Sequence, residues 1–339
     1  MIQPNIQLYY GTFASQGCRL VPDFHSPIGL YKSSKKYLFH ISVFKSDAST
    51  VAAFTRMIHD LSTRISVAEA TRFRRYLAEL AKSGRLLRLF TQNIDCLEDK
   101  EECLRPPMTV PLHGRLDRVK CNRCQWTEVL SPEYFEGLDL TQCKNCKDPT
   151  RQGLRQRSAG KLRPDIVYYG EDNPNAELID SAVEEVFREC PDMIIVVGTR
   201  LETCGTKRIA SRLCRFTRYK GGVALWVSLE KPSSASRLLP LLDYVVQADC
   251  DEFATLVSPG LNMTTERVGS MDNVGRKRKN QSLTRQQGVK ADEFCLRLKR
   301  AWKTEKNAHN ARCQVSKVNL PTSKQPSSST SDTDATSLR

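Results

Sequence analysis

Leu86-Leu87-Arg88-Leu89-Phe90-Thr91-Gln92-Asn93-Ile94-Asp95 is the stretch that decides the fold. Its first half, behind Gly84, is a short apolar run with the length and composition of a buried strand. It passes without a turn into amides and a carboxylate. Polar side chains just past the carboxyl end of a strand are where open α/β sheets hold ligands. The segment therefore reads as a central strand that delivers a site.

The flanking sequence agrees. Downstream, Asp180 to Cys190 reads as a helix, and Met193 to Val197 as a buried strand closed by Gly198-Thr199. A helix from Thr206 to Arg218 stops at Gly221-Gly222, and strands follow at Val223 to Val227 and at Tyr244-Val245-Val246. Strand and helix alternating in this rhythm imply a parallel sheet with right-handed crossovers. Upstream, Ile6 to Tyr10 is a short strand, and the prolines of Val21 to Pro27 mark a loop. Val51, Phe54, Met57, Ile58 and Leu61 recur at helical spacing. A second helix starts at Thr71, an N-cap residue, with Phe73, Leu77 and Leu80 inward and Gly84 as its stop. The expected architecture is α/β, with a Rossmann-like parallel sheet in a domain over residues 1–258.

Two cysteine pairs interrupt this pattern. Cys121-x-x-Cys124 and Cys143-x-x-Cys146 are separated by 18 intervening residues, a spacing that lets four thiolates converge on one zinc ion. Four sulfurs leave no vertex for water, so the zinc is structural and the surrounding segment, about 115–160, is a small inserted zinc-ribbon module. The chain has 13 cysteines, and Met1-Ile2-Gln3-Pro4 lacks the basic and apolar regions of a secretory signal. In a reducing compartment paired cysteines bind metal before they form disulfides. Cys96, Cys103, Cys190, Cys204 and Cys214 read as ordinary core or surface thiols, and His25, His40, His59 and His309 as structural histidines.

Charge is uneven along the 339 residues. Residues 261–339 hold 16 Lys+Arg against 7 Asp+Glu, so +9 of the net +14 lies there. The stretch includes Gly275-Arg276-Lys277-Arg278-Lys279, which reads as a nuclear import signal, and a Ser/Thr-rich end. The region 259–339 is expected to be a basic, largely disordered tail suited to polyanionic surroundings such as DNA or nucleosomes. No stretch approaches the roughly 18 unbroken apolar residues of a membrane helix, so no membrane partner is expected.

In combination, Thr91-Gln92-Asn93-Ile94-Asp95-x-Leu97-Glu98, His113-Gly114, the four cysteines, Arg163-Pro164-x-x-Val167-x-x-Gly170-Glu171, Gly198-Thr199-x-Leu201 and Asp249-Cys250 resemble the sirtuin family. Pro22-Asp23-Phe24 stands before them in the family's order, and the likeness covers about residues 8–257. Tyr31, Phe44-Lys45-Ser46 and Gly84-Arg85-Leu86-x-Arg88 are most similar to the fungal nuclear branch that deacetylates histones.

The resemblance implies an NAD-dependent protein-lysine deacetylase, a transferase that yields nicotinamide, O-acetyl-ADP-ribose and free lysine. It implies an acetylated histone as substrate, the nucleus as location, and a part in chromatin and transcription regulation. By the same carry-over, His113 is the general base on a ribose hydroxyl, a role an imidazole suits because it titrates near neutral pH. Asn93 and Gln92 hold the ribose region and place a water; Asp95 and the Ile94 backbone bind the nicotinamide amide. Gly198 and Thr199 meet the phosphates, Cys250 sits near adenine, Phe24 shields the reacting ribose, and Pro22, Asp23 and Ser228 complete the cofactor set. Val167, Gly170 and Glu171 pair with the substrate peptide as an added strand.

The chain departs from the family at one end. The family's Gly-Ala-Gly-Ile-Ser phosphate loop would fall on Thr12-Phe13-Ala14-Ser15-Gln16, with Gly11 and Gly17 only nearby. Glycines serve there because backbone must approach pyrophosphate closely, and the Cβ atoms of Thr12 and Ala14 obstruct that approach. His25 stands for an arginine, Leu20 for a glycine and Ser228 for an asparagine. A catalytically impaired sirtuin-like chromatin-binding protein is thus the alternative reading.

Overall fold

The computed structural model describes residues 6–10, 36–147, 159–233 and 236–258. Thr12 to Gln16, Leu20, Pro22, Asp23, Phe24, His25 and Tyr31 lie outside the described residues, as do the basic cluster at 276–279 and the rest of the expected tail.

Six parallel strands form the main sheet: β1 (Ile6–Tyr10), β2 (Leu86–Thr91), β3 (Thr109–Pro111), β7 (Met193–Val197), β8 (Val223–Ser228) and β9 (Tyr244–Gln247). Their order is β3-β2-β1-β7-β8-β9. Strands β7 and β8 are apolar on both faces because helices cover both. On β7, Ile195 and Val197 point to one core while Ile194 and Val196 point to the other. β8 repeats the alternation with Leu225 and Val227 against Ala224 and Trp226.

One face is covered by α2 (Arg72–Lys82) and α6 (Cys250–Val257). The Thr71 side chain caps α2 by accepting from Arg74 N, as its sequence position predicts. Phe73, Leu77 and Leu80 are fully buried, each contributing about 1.5–3 kcal/mol of transfer free energy. The other face is covered by α4 (Ala176–Glu189) and α5 (Cys204–Tyr219). Both helices begin earlier than periodicity suggests. In the first turn of α4 Leu178 is exposed beside buried Ile179, so the apolar residues there do not mark a single face, and α5 starts where Thr203 Oγ1 accepts from Thr206 N. Helix α6 has no counterpart in the sequence reading; it is only eight residues long and capped by Asp249.

A third core belongs to a smaller unit. Strands β4 (Gly114–Cys121), β5 (Thr127–Val129) and β6 (Leu162–Ile166) form an antiparallel sheet in the order β5-β4-β6. The long helix α1 (Ala48–Val67) packs on it through Phe54, Met57, Ile58 and Leu61, and the short α3 (Lys144–Lys147) follows Cys143. Ile94 and Leu97 join this core although β2 belongs to the main sheet. The run after β2 therefore spans the seam between the two units.

Candidate active site

Strand β1 lies between β2 and β7, and the chain order runs outward from it in both directions. Open α/β sheets bind ligands at such a switch point, beyond the carboxyl ends of the strands. A cleft of about 580 Å³ lies there. Gln92, Ile94 and His113 form one wall, the loop Val167–Glu171 a second, and Thr199–Thr206 a third.

His113 sits on a turn held from several sides. Leu112 N donates to Thr91 O at 2.8 Å, and Leu112 O accepts from the Asn173 side chain at 2.8 Å. His113 O accepts from Val167 N at 2.9 Å. Gly114 follows with φ +77, and a Cβ there would stand 2.7 Å from Ile166 Cα and closer still to the Asp165 carbonyl. Glycine is thus required for β4 to start so close to β6. The imidazole itself lines the cleft, and burial holds its pKa down to about 4. It is neutral at neutral pH and able to accept a proton.

Gln92 reaches across the switch point. Its Nε2 donates to Thr199 Oγ1 at 2.7 Å, and that oxygen also accepts from Leu201 N at 2.9 Å. Gly198 at φ +57 and Leu201 at φ +51 give the turn after β7 its left-handed backbone. Ser228, at the end of β8, is buried, and its hydroxyl holds the next turn by accepting from Glu230 N at 3.4 Å.

Asn93 and Asp95 do not line this cleft with Gln92 and Ile94; both are buried. The Asp95 carboxylate receives the Arg74 guanidinium at 2.9 and 3.1 Å and Leu97 N at 3.2 Å. Asn93 Nδ2 donates to Glu98 Oε1 at 3.4 Å, and Arg74 Nε reaches the same oxygen at 3.3 Å. Sequence reasoning missed Arg74. The available signal was its place three and four residues before Leu77 and Ala78, on the inward stripe of α2. It also missed Asn173, which ties the far loop to the histidine turn.

The loop Val167–Glu171 is braced. Arg163 pairs with Glu171 at 2.9 and 3.3 Å, and lies over the rings of Tyr168 at 5.1 Å and Phe44 at 5.6 Å from their centroids. Glu171 Oε1 also accepts Tyr168 N at 2.8 Å. Several of the loop's donors are therefore already used: Val167 on His113, Tyr169 on Phe39 and Glu171 on Tyr168. Of the three residues expected to meet an added strand, only Gly170 keeps its N–H out of these bonds. Cys250 needs a similar narrowing. It opens α6, and its side chain packs into the core with Leu225, Val227 and Phe253, where burial pushes the thiol pKa up. Only its backbone is left to face a ligand.

The four paired cysteines converge. Their sulfurs all lie within 4.8 Å of one another, with Cys121–Cys146 at 3.7 Å and Cys124–Cys143 at 3.8 Å. A tetrahedron of sulfurs about 2.3 Å from a zinc ion has edges of about 3.8 Å. Arg123 N and Cys124 N point at Cys121 Sγ from 3.4 and 3.5 Å, donors suited to a thiolate. The residues fit a closed zinc site, far in kind from the open one catalysis needs.

The Sir2 family pattern matches residues 12–204. The chain is 35% identical over 273 residues to the NAD-dependent protein deacetylase hst4 of Schizosaccharomyces pombe, covering 74% of this chain and 65% of that one. It is 34% identical over 260 residues to the NAD-dependent protein deacetylase hst4 of Emericella nidulans, covering 70% and 43%. The chain thus spans less than two thirds of the length of these curated relatives. It is 30% identical over 262 residues to the NAD-dependent histone deacetylase HST4 of Saccharomyces cerevisiae, covering 70% and 71%. A solved Sir2 structure with deacetylated p53 peptide and 3′-O-acetyl ADP-ribose shares the fold, with a TM-score of 0.59 at 22% identity over 75% of this chain and 92% of that one.

Proposed function

The chain belongs to the Sir2 family, and from that premise we propose that it is an NAD-dependent protein-lysine deacetylase acting on acetylated histones in the nucleus. The observation that carries the reading is the shared cleft: a neutral imidazole at His113 faces the same space as Gln92, Thr199 and the loop Val167–Glu171. That combination supplies a base, a polar wall for a ribose and a backbone edge for a peptide.

In this reading NAD, when bound, supplies the ribosyl carbon that takes up the acetyl oxygen as nicotinamide departs. Gln92 and Thr199 hold the ribose and phosphate side, with Gly198, Ser228 and the Cys250 backbone completing that wall. Asn93 stands with Gln92 on the ribose side, Asp95 and the Ile94 backbone form the nicotinamide end, and Pro22, Asp23 and Phe24 belong to the same cofactor set by their sequence. His113 takes a proton from a ribose hydroxyl through its neutral ring. Gly170 offers backbone to the peptide while Val167 and Glu171 keep the loop in place. Cys121, Cys124, Cys143 and Cys146 would hold one structural zinc ion, which supports the smaller sheet. The domain reading remains 1–258, with the zinc module inserted and a basic tail after it that suits DNA or nucleosome contact.

The names of the relatives support the histone and NAD parts of this reading. The second reading, a chromatin-binding protein with impaired turnover, is favoured by Thr12 and Ala14 where the family has glycines. One experiment separates them. The purified chain is expected to release nicotinamide from NAD only when acetylated histone peptide is present. No release, and no heat when NAD is titrated in, would select the second reading.

A further inference from the structure

The buried cluster behind the cleft has more structure than a cofactor pocket requires. Arg74 is fully buried on α2 and Glu98 is 1% exposed. Burying charges this deeply is costly unless geometry and hydrogen bonds compensate. The guanidinium grips Asp95 with one nitrogen and Glu98 with another, at 2.9 and 3.3 Å. Glu98 Oε1 takes two donors at once, Arg74 Nε and Asn93 Nδ2. Its other oxygen, Oε2, is buried and has no hydrogen-bonding partner among the described residues. Arg–carboxylate pairs are frequently two-pronged, but only Oε1 of this carboxylate meets the guanidinium. That oxygen is the shared one.

The support continues outward. Helix α2 is pinned at its start by Phe73 N donating to Asp251 Oδ1 of α6 at 2.7 Å, so Arg74 comes from a fixed platform. The two side chains that the proposed function places at the ribose and at the nicotinamide amide, Asn93 and Asp95, thus lead back to helix α2 through one cation. Burial also pushes the Glu98 carboxyl above its usual range, with Arg74 opposing that shift.

We infer that Glu98 is a positioning residue: by sharing Oε1 between Arg74 Nε and Asn93 Nδ2, it locks the Asn93 amide in register with the Asp95 carboxylate. The inference rests on the deacetylase reading for its catalytic consequence, though not for its structural content. What matters is an acceptor atom at that point, and not the negative charge on it. A displacement of about 1 Å in a positioned group can cost about 10²-fold in rate.

Two variants separate acceptor from charge. Glu98→Gln keeps the length and an acceptor oxygen but removes the charge. Glu98→Asp keeps the charge, and with it a partner for Arg74, but draws the acceptor away from Asn93. Both are compared with the unmodified 339-residue chain, with zinc content and melting temperature as checks of folding. The first readout needs no cofactor: hydrogen exchange of the Asn93 side-chain amide, its resonances identified by their loss in Asn93→Asp. Protection is expected in the unmodified chain and in Glu98→Gln, and exchange at least tenfold faster in Glu98→Asp. The second readout is nicotinamide release. Glu98→Asp is expected to lower kcat by at least tenfold with the peptide KM within about twofold, while Glu98→Gln stays within about threefold of the unmodified chain.

A loss in Glu98→Gln as large as or larger than that in Glu98→Asp would show that the charge matters and overturn the inference, as would unchanged exchange in Glu98→Asp. If the unmodified chain releases no nicotinamide, the deacetylase reading fails alone, and the exchange measurement still decides the role of Glu98.

Discussion

The Gln92 side chain donates to Thr199 across the carboxyl end of β1, joining the ends of two strands that are not neighbours in the sheet. The acceptor oxygen is shared with Leu201 N, so a single hydroxyl fixes both a wall of the cleft and the turn after β7. Thr199 is 3% exposed and Gln92 8%, so water is a poor substitute for either partner.

Thr199→Val keeps the side-chain shape and deletes that acceptor. Two buried donors then lose their partner, each worth about 1–3 kcal/mol. A fall in the urea midpoint is expected, together with at least tenfold weaker NAD binding by calorimetry. Thr199→Ser retains the oxygen and is expected to stay near the original on both measures. Equal behaviour of Val and Ser would remove the hydroxyl from the account.

The acid limb of turnover is expected well below the range of an ordinary histidine. Burial lowers the His113 pKa from 6.5 to about 4. The base form is then populated through pH 5 to 7, where a free imidazole would be losing it. The sign for stability follows from the same shift. Between pH 6.5 and about 4 the unfolded chain binds a proton that the folded chain refuses, so stability falls as the pH drops through that window. His113→Ala is expected to abolish nicotinamide release and to flatten that part of the stability curve. Rate profiles and denaturation midpoints from pH 4 to 8 check both.

How much of this was legible in the chain depends on the range of the forces involved. Strands β2, β7 and β8 and the caps Thr71 and Gly84 were readable because their signals are local: apolar runs, a hydroxyl before a helix, a glycine after it. The cysteine quartet was readable because the metal imposes the spacing. Strand β4 was not, because Gly114-Arg115-Leu116-Asp117-Arg118 carries few apolar residues, and a bulge between Arg115 and Val119 breaks its register with β6. The inward turn of Asn93 and Asp95 was also hidden. It depends on Arg74, some twenty residues upstream, and nothing local to the run after β2 discloses a buried cation.

Metal removal is expected to unfold the smaller unit first. Cys121 and Cys143 are fully buried among Leu116, Val119, Phe135 and Leu162, so the site is continuous with the core that α1 covers. Structural zinc sites in small peptides contribute apparent binding free energies of about 10–16 kcal/mol at pH 7. One zinc per chain is expected by elemental analysis. Chelation, or Cys143→Ala, should release it and expose α1 to hydrogen exchange, while β7 and β8 stay protected longer. Simultaneous loss of both units would show that they fold as one.

Gly114→Ala tests whether the backbone after His113, and not only its ring, makes the site. The residue has φ +77, a region that costs an L-residue about 1–2 kcal/mol. The added Cβ also runs into the Asp165 carbonyl and Ile166 Cα, both backbone atoms of β6 that cannot rotate away. Relief requires β4 to move off β6, and the bond from Val167 N to His113 O lies directly on that path. The histidine turn and the Val167–Glu171 loop would then separate together. Expected outcomes are a destabilisation above about 3 kcal/mol in denaturant titration and loss of turnover beyond what the lost stability explains. The second is measured at a temperature where the variant is still folded. Turnover that survives there intact would mean that the imidazole tolerates a loose mount, and that the clamp from Val167 and Asn173 serves stability alone.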